Sequence, residues 1–239
     1  MSILGTQGIF FDPHRHVYTT LAGEVLPSNT EILEGMGFVN YSFVAPDKLA
    51  AAAEIGSDVA SATALLDRGR PWKAQFSHVA GWVAGWQKFK KDFKFKPELI
   101  EEPLFDPYYM VATTPDRHGE SIHGNITAQI KTSVGVSDWV GLQLAFEERC
   151  IAIAKGDPPI VTSSDRRFAI ELRPNGTYKP TRFPSEFDIR VFLAAATVFL
   201  WRRKHERTAA RPIANSPQGG SSSPARIPRA NRRGVRAAR

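Results

Sequence analysis

Apolar residues along the chain follow two spacings that predict different elements of secondary structure. A spacing of three and four is typical of a helix with one buried face, and alternation is typical of a strand. The helical spacing occurs in four long segments: 46–66, 72–93, 139–154 and 187–201. Short strand-like segments lie between and before them: 10–12, 16–18, 24–26, 99–104, 108–114, 122–131, 167–172 and 177–182.

Turn and cap residues divide these segments. Residues 13–15 predict a turn between the first two strands, and Pro174-Asn175-Gly176 predicts a turn between the last two. We also predict a turn at 117–120, where the sequence is Arg-His-Gly-Glu. Ser28 with Glu31 three residues later has the spacing of a capping box, which predicts another helix after the third strand.

Strands grouped between helices predict an α+β fold, with a mixed central sheet flanked by helices and an N-terminal hairpin with helices beside it. No glycine-rich phosphate loop follows a strand, which argues against a doubly wound nucleotide-binding fold. We predict one domain over residues 1–207, followed by an arginine-rich tail over 208–239. The tail has almost no large apolar residue, so we expect it to be disordered.

Charge and cysteine content narrow the class of protein. The net charge is +7, but residues 202–239 hold eleven of the 31 lysines and arginines and one acidic residue. The remaining chain has 20 basic and 23 acidic residues, so the excess positive charge belongs to the tail. The single cysteine, Cys150, lies in an apolar helical segment and is expected to be buried. We see no membrane span and no signal peptide, and we expect a cytoplasmic protein.

Candidate chemistry is concentrated where two strand-like segments end. Asp116 closes one predicted strand and Lys131 closes the next, so a hairpin would bring them together. Gln129 projects from the same side of its strand as Lys131, two residues later. Phosphodiester hydrolysis uses carboxylates that hold Mg²⁺, a cation that activates water, and a nearby lysine that orients the nucleophile. We therefore expect a phosphoryl-transfer site here. His118 and His123, by contrast, are expected to be loop residues.

The order of these motifs resembles the RecB-type, phage exonuclease-like branch of the PD-(D/E)XK nucleases. That family has a carboxylate in a Gly-Thr-x-Asp stretch, then (Asp/Glu)-x-Lys-Thr, then a helix with Gln-x-x-x-Tyr. This chain has Thr113-Thr114-Pro115-Asp116-Arg117, then Gln129-Ile130-Lys131-Thr132, then Gln143-Leu144-Ala145-Phe146. The first hairpin and helix and the closing hairpin, with Pro174, Gly176 and Tyr178, also resemble family elements. The resemblance covers about residues 9–203 and implies a restriction-endonuclease-like core.

The resemblance implies a role for each matching residue. Asp116 would bind Mg²⁺ or Mn²⁺, Lys131 would be the catalytic lysine, and Gln143 would steady the site from the following helix. Glu102 would be an additional metal-binding carboxylate, with Glu101 as the alternative. The side-chain oxygen of Gln129 would complete the metal site. The implied activity is exonuclease-like cleavage of DNA in phage or recombination processing.

Two positions depart from the family pattern. Gln129 stands where the family has Asp or Glu, and Ala60 stands where a Gly-Thr-x-Val-His motif has histidine. A neutral amide binds Mg²⁺ more weakly than a carboxylate does. These departures leave open a second interpretation, a catalytically degenerate relative that binds DNA or a protein partner without cutting. A third is an unrelated α+β domain.

Overall fold

A computed structural model describes residues 8–13, 15–42, 44–159 and 166–209, with side chains described as far as residue 206. The strands are β1 (Ile9–Asp12), β2 (Val17–Thr20), β3 (Val25–Leu26), β4 (Lys96–Ile100), β5 (Leu104–Asp106), β6 (Val111–Thr113), β7 (Arg117–Ser121), β8 (Gly124–Lys131), β9 (Arg167–Leu172) and β10 (Tyr178–Arg182). The helices are α1 (Asn29–Gly35), α2 (Pro46–Asp67), α3 (Lys73–Phe76), α4 (Ala80–Asp92), α5 (Trp139–Lys155) and α6 (Phe187–Ala209), with a short 3-10 turn at Ser77–Val79.

The central element is a five-stranded mixed sheet with the strand order β10-β9-β8-β7-β4. β8 and β9 run parallel, and the other neighbouring pairs run antiparallel. The parallel pair needs a crossover connection, and α5 supplies it. The α+β class with a mixed central sheet, predicted from the sequence, is confirmed.

Helices cover both faces of this sheet. On one face, apolar side chains of β8 and β9 pack under α2 and α4, and the cluster contains Val59, Val83, Trp86, Phe89, Ile126, Ala128, Phe168 and Ile170. On the other face, Ala169 packs under Val140 and Leu144 of α5. A further cluster joins α5 to α1 and α6. Burial of alternate side chains on opposite faces is expected for a strand covered on both sides.

Two small sheets lie beside the central one. β1, β2 and β3 form an antiparallel sheet, and β5 pairs with β6. Ile9, Tyr18 and Leu26 of the first sheet pack against Ala112 of β6. Ser28 caps α1 as predicted, because its hydroxyl accepts a hydrogen bond from the Glu31 backbone N–H at 3.0 Å.

The structure corrects several element boundaries. Residues 117–120, predicted as a turn, lie in β7, and the two predicted strands 99–104 and 108–114 are replaced by β4, β5 and β6. The predicted helix 72–93 is divided into α3, the 3-10 turn and α4. The last helix continues beyond 201 to Ala209. Apart from residues 208 and 209, the predicted tail lies outside the described residues.

One helix in the described part of the chain, α2, is long and apolar enough to cross a membrane by length and composition. The sequence analysis predicted no such segment. The second half of α2 packs into the domain, because Val59, Ala62 and Ala64 are buried in it. The first part of α2, residues 46–54, is exposed.

Candidate functional site

The strand register brings the predicted site residues to one face of the central sheet. Asp116 immediately precedes β7, and Arg117 pairs with Ala128 of β8, so Asp116 lies opposite Gln129. Directly opposed residues in an antiparallel pair share a face, and Lys131 shares it because it is two residues from Gln129. One carboxylate oxygen of Asp116 accepts a hydrogen bond from the Ile130 N–H at 2.7 Å. The strand pairing thus fixes the Asp116 carboxyl beside β8.

The hairpin differs from the expected one in direction. Asp116 stands at the beginning of β7 rather than at the end of a strand, and Lys131 is the last residue of β8. Because the two strands are antiparallel, the beginning of one adjoins the end of the other. The proximity predicted from the sequence is therefore reached through a different pair of strand ends.

Asp116 is partly buried, and desolvation raises the pKa of its carboxyl above the usual value for an aspartate. Three groups act in the opposite direction: the Lys131 ammonium, the Ile130 N–H and the Arg117 guanidinium. Lys131 acts on Asp116 from the same face of the hairpin, two residues beyond Gln129. A carboxylate held in this way would gain from a cation bound beside it.

A second buried carboxylate, Glu147 of α5, completes this cluster, and the sequence analysis did not anticipate it. One of its oxygens accepts hydrogen bonds from the side-chain amides of Gln129, at 2.8 Å, and Gln143, at 3.0 Å. Burial, and after it the negative charge of Asp116, raise the pKa of Glu147 to about 8, although Lys131 and the hydrogen bonds from Gln129 and Gln143 act in the opposite direction. Asp116 and Glu147 are therefore both neighbours of Gln129, the first across the hairpin and the second through a hydrogen bond from α5.

Two oxygen atoms in this cluster have no hydrogen-bond partner. They are the second carboxylate oxygen of Glu147 and the amide oxygen of Gln143, both buried. Buried polar atoms in folded proteins are almost always paired, so these two oxygens stand out as atoms with lone pairs left to coordinate a cation. Oxygen ligands of this kind are preferred by Mg²⁺ and Mn²⁺.

Lys131 lies at the outer side of the cluster and is half-buried. Its ammonium group stands 5.3 Å from the centre of the Trp139 ring, at the start of α5, in a cation–π contact. The loop between β8 and α5 is held nearby, because the Gly135 N–H donates to a carboxylate oxygen of Glu171 at 2.6 Å. The lysine is thus positioned at the C-terminal end of β8, where the cluster meets the surface.

Glu101, the alternative to Glu102 as an additional acid, is influenced electrostatically by Asp116. The negative charge of Asp116 contributes to raising the pKa of Glu101, although burial is the larger cause. Arg117 opposes this shift and stands 3.4 Å from the Glu101 carboxylate. Glu102 is partly buried in the segment that follows β4.

The opposite side of the sheet supports Asp116 through a buried ion-pair network. Arg117 is fully buried and donates to Asp67 of α2 at 2.7 Å, while its Nη1 donates to the backbone oxygen of Asp116 at 2.6 Å. Asp67 also accepts from Trp86 and Lys90 of α4. The main chain at Asp116 is therefore anchored to both helices behind the sheet.

The segment of α2 that resembles the histidine motif also comes near the site. A side chain at Gly56 would come within 3.7 Å of the Thr132 hydroxyl, one residue after Lys131. Ala60 lies one turn later on α2, where the family places histidine. Asp58 of the same segment pairs with His78 at 2.7 Å. Nothing at position 60 can bind a metal.

His118 is a buried residue of β7, which corrects its assignment to a loop. It contacts the Thr127 hydroxyl at 3.1 Å, and Lys155 lies 3.0 Å from its other ring nitrogen. Burial, with Lys155 and Arg166, lowers the pKa of His118 to about 4. The imidazole is therefore neutral at physiological pH. His123 lies in the turn between β7 and β8, as expected.

No group of three or more His, Cys, Asp and Glu side chains suited to hold a metal occurs among the described residues. The cluster instead combines two carboxylates with amide oxygens. Mg²⁺ commonly keeps several waters and is bound through one or two carboxylates, so this set of donors fits the ion. The unpaired oxygens of Glu147 and Gln143 support the same conclusion.

Comparison of the sequence with models of known protein families, and with curated proteins, gives no match. What the chain does must therefore be argued from its own residues.

Proposed function

We propose that this protein is a Mg²⁺-dependent (or Mn²⁺-dependent) DNA nuclease of exonuclease-like type, acting in phage or recombination DNA processing in the cytoplasm. The observation that carries the proposal is the placement of Asp116 and Lys131 on one face of the β7–β8 hairpin, with the buried Glu147 carboxyl hydrogen-bonded to Gln129 between them. The mixed sheet with helices on both faces also supports the resemblance to PD-(D/E)XK nucleases, because it is the architecture that the resemblance implies.

In this proposal each residue has a distinct role at the scissile phosphate. Asp116 binds the cation, which when bound supplies positive charge and activation of water. Lys131 offsets negative charge that develops on the phosphate in the transition state. Gln129 and Gln143 hold the Glu147 carboxyl through their amide groups. Arg117 keeps the main chain of Asp116 in place from behind the sheet.

The experiment that tests this function is cleavage of linear single- and double-stranded DNA with Mg²⁺ or Mn²⁺ by the wild type and by Lys131→Ala. Loss of a charge that stabilises the transition state should lower the cleavage rate by about 10²- to 10³-fold. Lys96→Ala is the matched control, because Lys96 is exposed at the start of β4 and should leave the rate unchanged. Cleavage that survives Lys131→Ala would show that the assigned site is wrong.

A second candidate function is binding of DNA or a protein partner without cleavage. It is favoured by Gln129 in place of an acid and by the lack of a three-residue metal cluster among the described residues. The two functions differ in their response to Gln129→Asp. An added carboxylate should strengthen cation binding in a weak nuclease and raise Mg²⁺-dependent cleavage. In a binding module the same change should produce no cleavage. The measurement is the cleavage rate of the wild type and of Gln129→Asp at several Mg²⁺ concentrations.

A further inference from the structure

We propose that Glu147 is a metal-binding residue, and that α5 thereby supplies the carboxylate that β8 lacks at position 129. The inference deepens the proposed function and rests on it, since it names a ligand for the cation of that site. Gln129 then acts as a positioning residue, which holds Glu147 and leaves cation binding to it. The cation is a hard divalent ion, Mg²⁺ or Mn²⁺.

The state of the Glu147 carboxyl is the first argument. The side chain is completely buried, one oxygen accepts two amide hydrogen bonds, and the other oxygen has no partner. A buried carboxylate with an unpaired oxygen is unfavourable unless a proton or a cation joins it.

The location of the carboxyl is the second argument. The 2.8 Å hydrogen bond from Gln129 puts an oxygen of Glu147 in direct contact with the side chain at the position of the missing acid. Gln129 lies opposite Asp116 on the same face of the β7–β8 hairpin. Glu147 therefore approaches the space that a carboxylate at 129 would occupy, but from the helix above the sheet.

The neighbouring donors are the third argument. The unpaired amide oxygen of Gln143 lies one turn before Glu147 on α5, and its amide nitrogen already contacts Glu147. Two carboxylates and a neutral amide oxygen give a purely oxygen-based site with a net charge of −2. That combination favours a hard divalent cation over zinc or copper, which prefer nitrogen and sulfur ligands.

The test measures binding of Mn²⁺ alone, followed by electron paramagnetic resonance in the absence of DNA. The wild type should bind one ion, and Glu147→Gln, which keeps the size of the side chain, should weaken binding at least about tenfold. The double variant Gln129→Glu/Glu147→Gln moves the carboxylate from α5 to β8 and should recover most of the lost affinity. Glu120→Gln, an exposed residue of β7, is the matched control and should bind as the wild type does.

The outcomes separate this inference from the proposed function. Equal Mn²⁺ affinity in the wild type and Glu147→Gln overturns the inference, as does absence of Mn²⁺ binding by the wild type. Recovery of affinity in the double variant is not expected from a purely structural role of Glu147, so it supports the inference. If affinity follows the carboxylate but no DNA is cleaved, Glu147 is a metal ligand and the nuclease function fails. If cleavage requires Mg²⁺ and Glu147→Gln binds and cuts normally, the nuclease function stands and the inference fails.

Discussion

At the scale of single residues, burial determines which charged groups can take part in chemistry. Arg117 and His118 are adjacent in β7 and both buried, yet their environments differ. Arg117 forms an ion pair with the Asp67 carboxylate at 2.7 Å. His118 faces Lys155, so burial and a neighbouring positive charge both favour its neutral form. Arg117 and His118 thus have structural partners, whereas Asp116 beside them lies on the face that carries Gln129 and Lys131.

The neutral state of His118 predicts a pH dependence of stability. The pKa of His118 is about 4 in the folded protein and about 6.5 in the unfolded chain, so the unfolded chain binds the proton first as pH falls. The contribution of His118 is therefore complete above pH 6.5 and is lost progressively as pH falls to 4. We expect a loss of about 2–3 kcal/mol in the free energy of unfolding over this window.

The variant His118→Gln tests that prediction, since glutamine has no titrating group. The free energy of unfolding of both proteins is measured by urea denaturation between pH 4 and 8. Plotted against pH, the two free energies should differ in slope only below pH 6.5. Other titrating groups occur in both proteins and cancel in the comparison. Parallel curves across the whole range would contradict the assigned neutral state of His118.

At the scale of elements, the close approach of α4 to the β9–β10 turn fixes one helix against the sheet. A side chain at Gly81 of α4 would stand 1.7 Å from the carbonyl oxygen of Pro174, and one at Gly85 would stand 2.7 Å from that of Thr177. Both neighbours are main-chain atoms and cannot rotate away. Glycine is therefore required where α4 crosses this turn, although alanine is the better helix former.

The two glycines Gly81 and Gly56 give a matched pair of substitutions. Gly81→Ala should lower the free energy of unfolding by about 1–3 kcal/mol or more, because the backbone of α4 or of the turn must move. Gly56→Ala, with 3.7 Å to its nearest neighbour, should raise it by up to about 1 kcal/mol. Urea midpoints measure both changes. A variant Gly81→Ala as stable as Gly56→Ala would show that α4 does not pack this closely.

The sequence predicted elements well where periodicity decides them, and less well where tertiary partners do. The bounds of β9 are those predicted, and α2 and α5 differ from the prediction by one residue. The prediction of a turn at 117–120, where the structure has β7, was wrong because the sequence Arg-His-Gly-Glu has the composition of a turn. Ion pairing with Asp67 and contact with Thr127 stabilise the first two in a buried strand. Those partners are distant in sequence, so no local pattern indicates them.

The candidate site was predictable to a similar extent. Asp116, Gln129, Lys131 and Gln143 were identified from motif order, and the structure brings all four into one cluster or its margin. Glu147 was not identified, because its role depends on the rotation of α5 over the sheet. A signal was present in the sequence, since Gln143 and Glu147 are four residues apart in an otherwise apolar segment and so share a helix face.

At the scale of the whole molecule, charge is divided between the domain and the residues that follow it. Seven arginines and no acidic residue lie after Ala209, where α6 ends. Truncation after Ala209 therefore removes a large positive charge and leaves every described element in place. If these arginines contact DNA phosphates, each releases counterions, and DNA affinity depends more steeply on salt.

We expect the truncated protein to bind DNA with a shallower salt dependence than the full chain. The slope of log K against log salt should decrease by up to about 6, from roughly 0.9 for each arginine engaged on duplex DNA. Fluorescence anisotropy at several salt concentrations measures the slope. Equal slopes would mean that the arginines after 209 do not contact DNA. The proposal of a cleavage site at Asp116 and Lys131 does not depend on that outcome.

The proposed site requires a divalent cation between the carboxylates of Asp116 and Glu147, under α5. Anomalous diffraction from crystals grown with Mn²⁺ tests it most directly, because the signal locates the ion itself. We predict one peak at roughly 2.0–2.2 Å from a carboxylate oxygen of Asp116 and from the unpaired oxygen of Glu147. A peak elsewhere in the protein, or an unchanged cluster with no peak, would contradict the account.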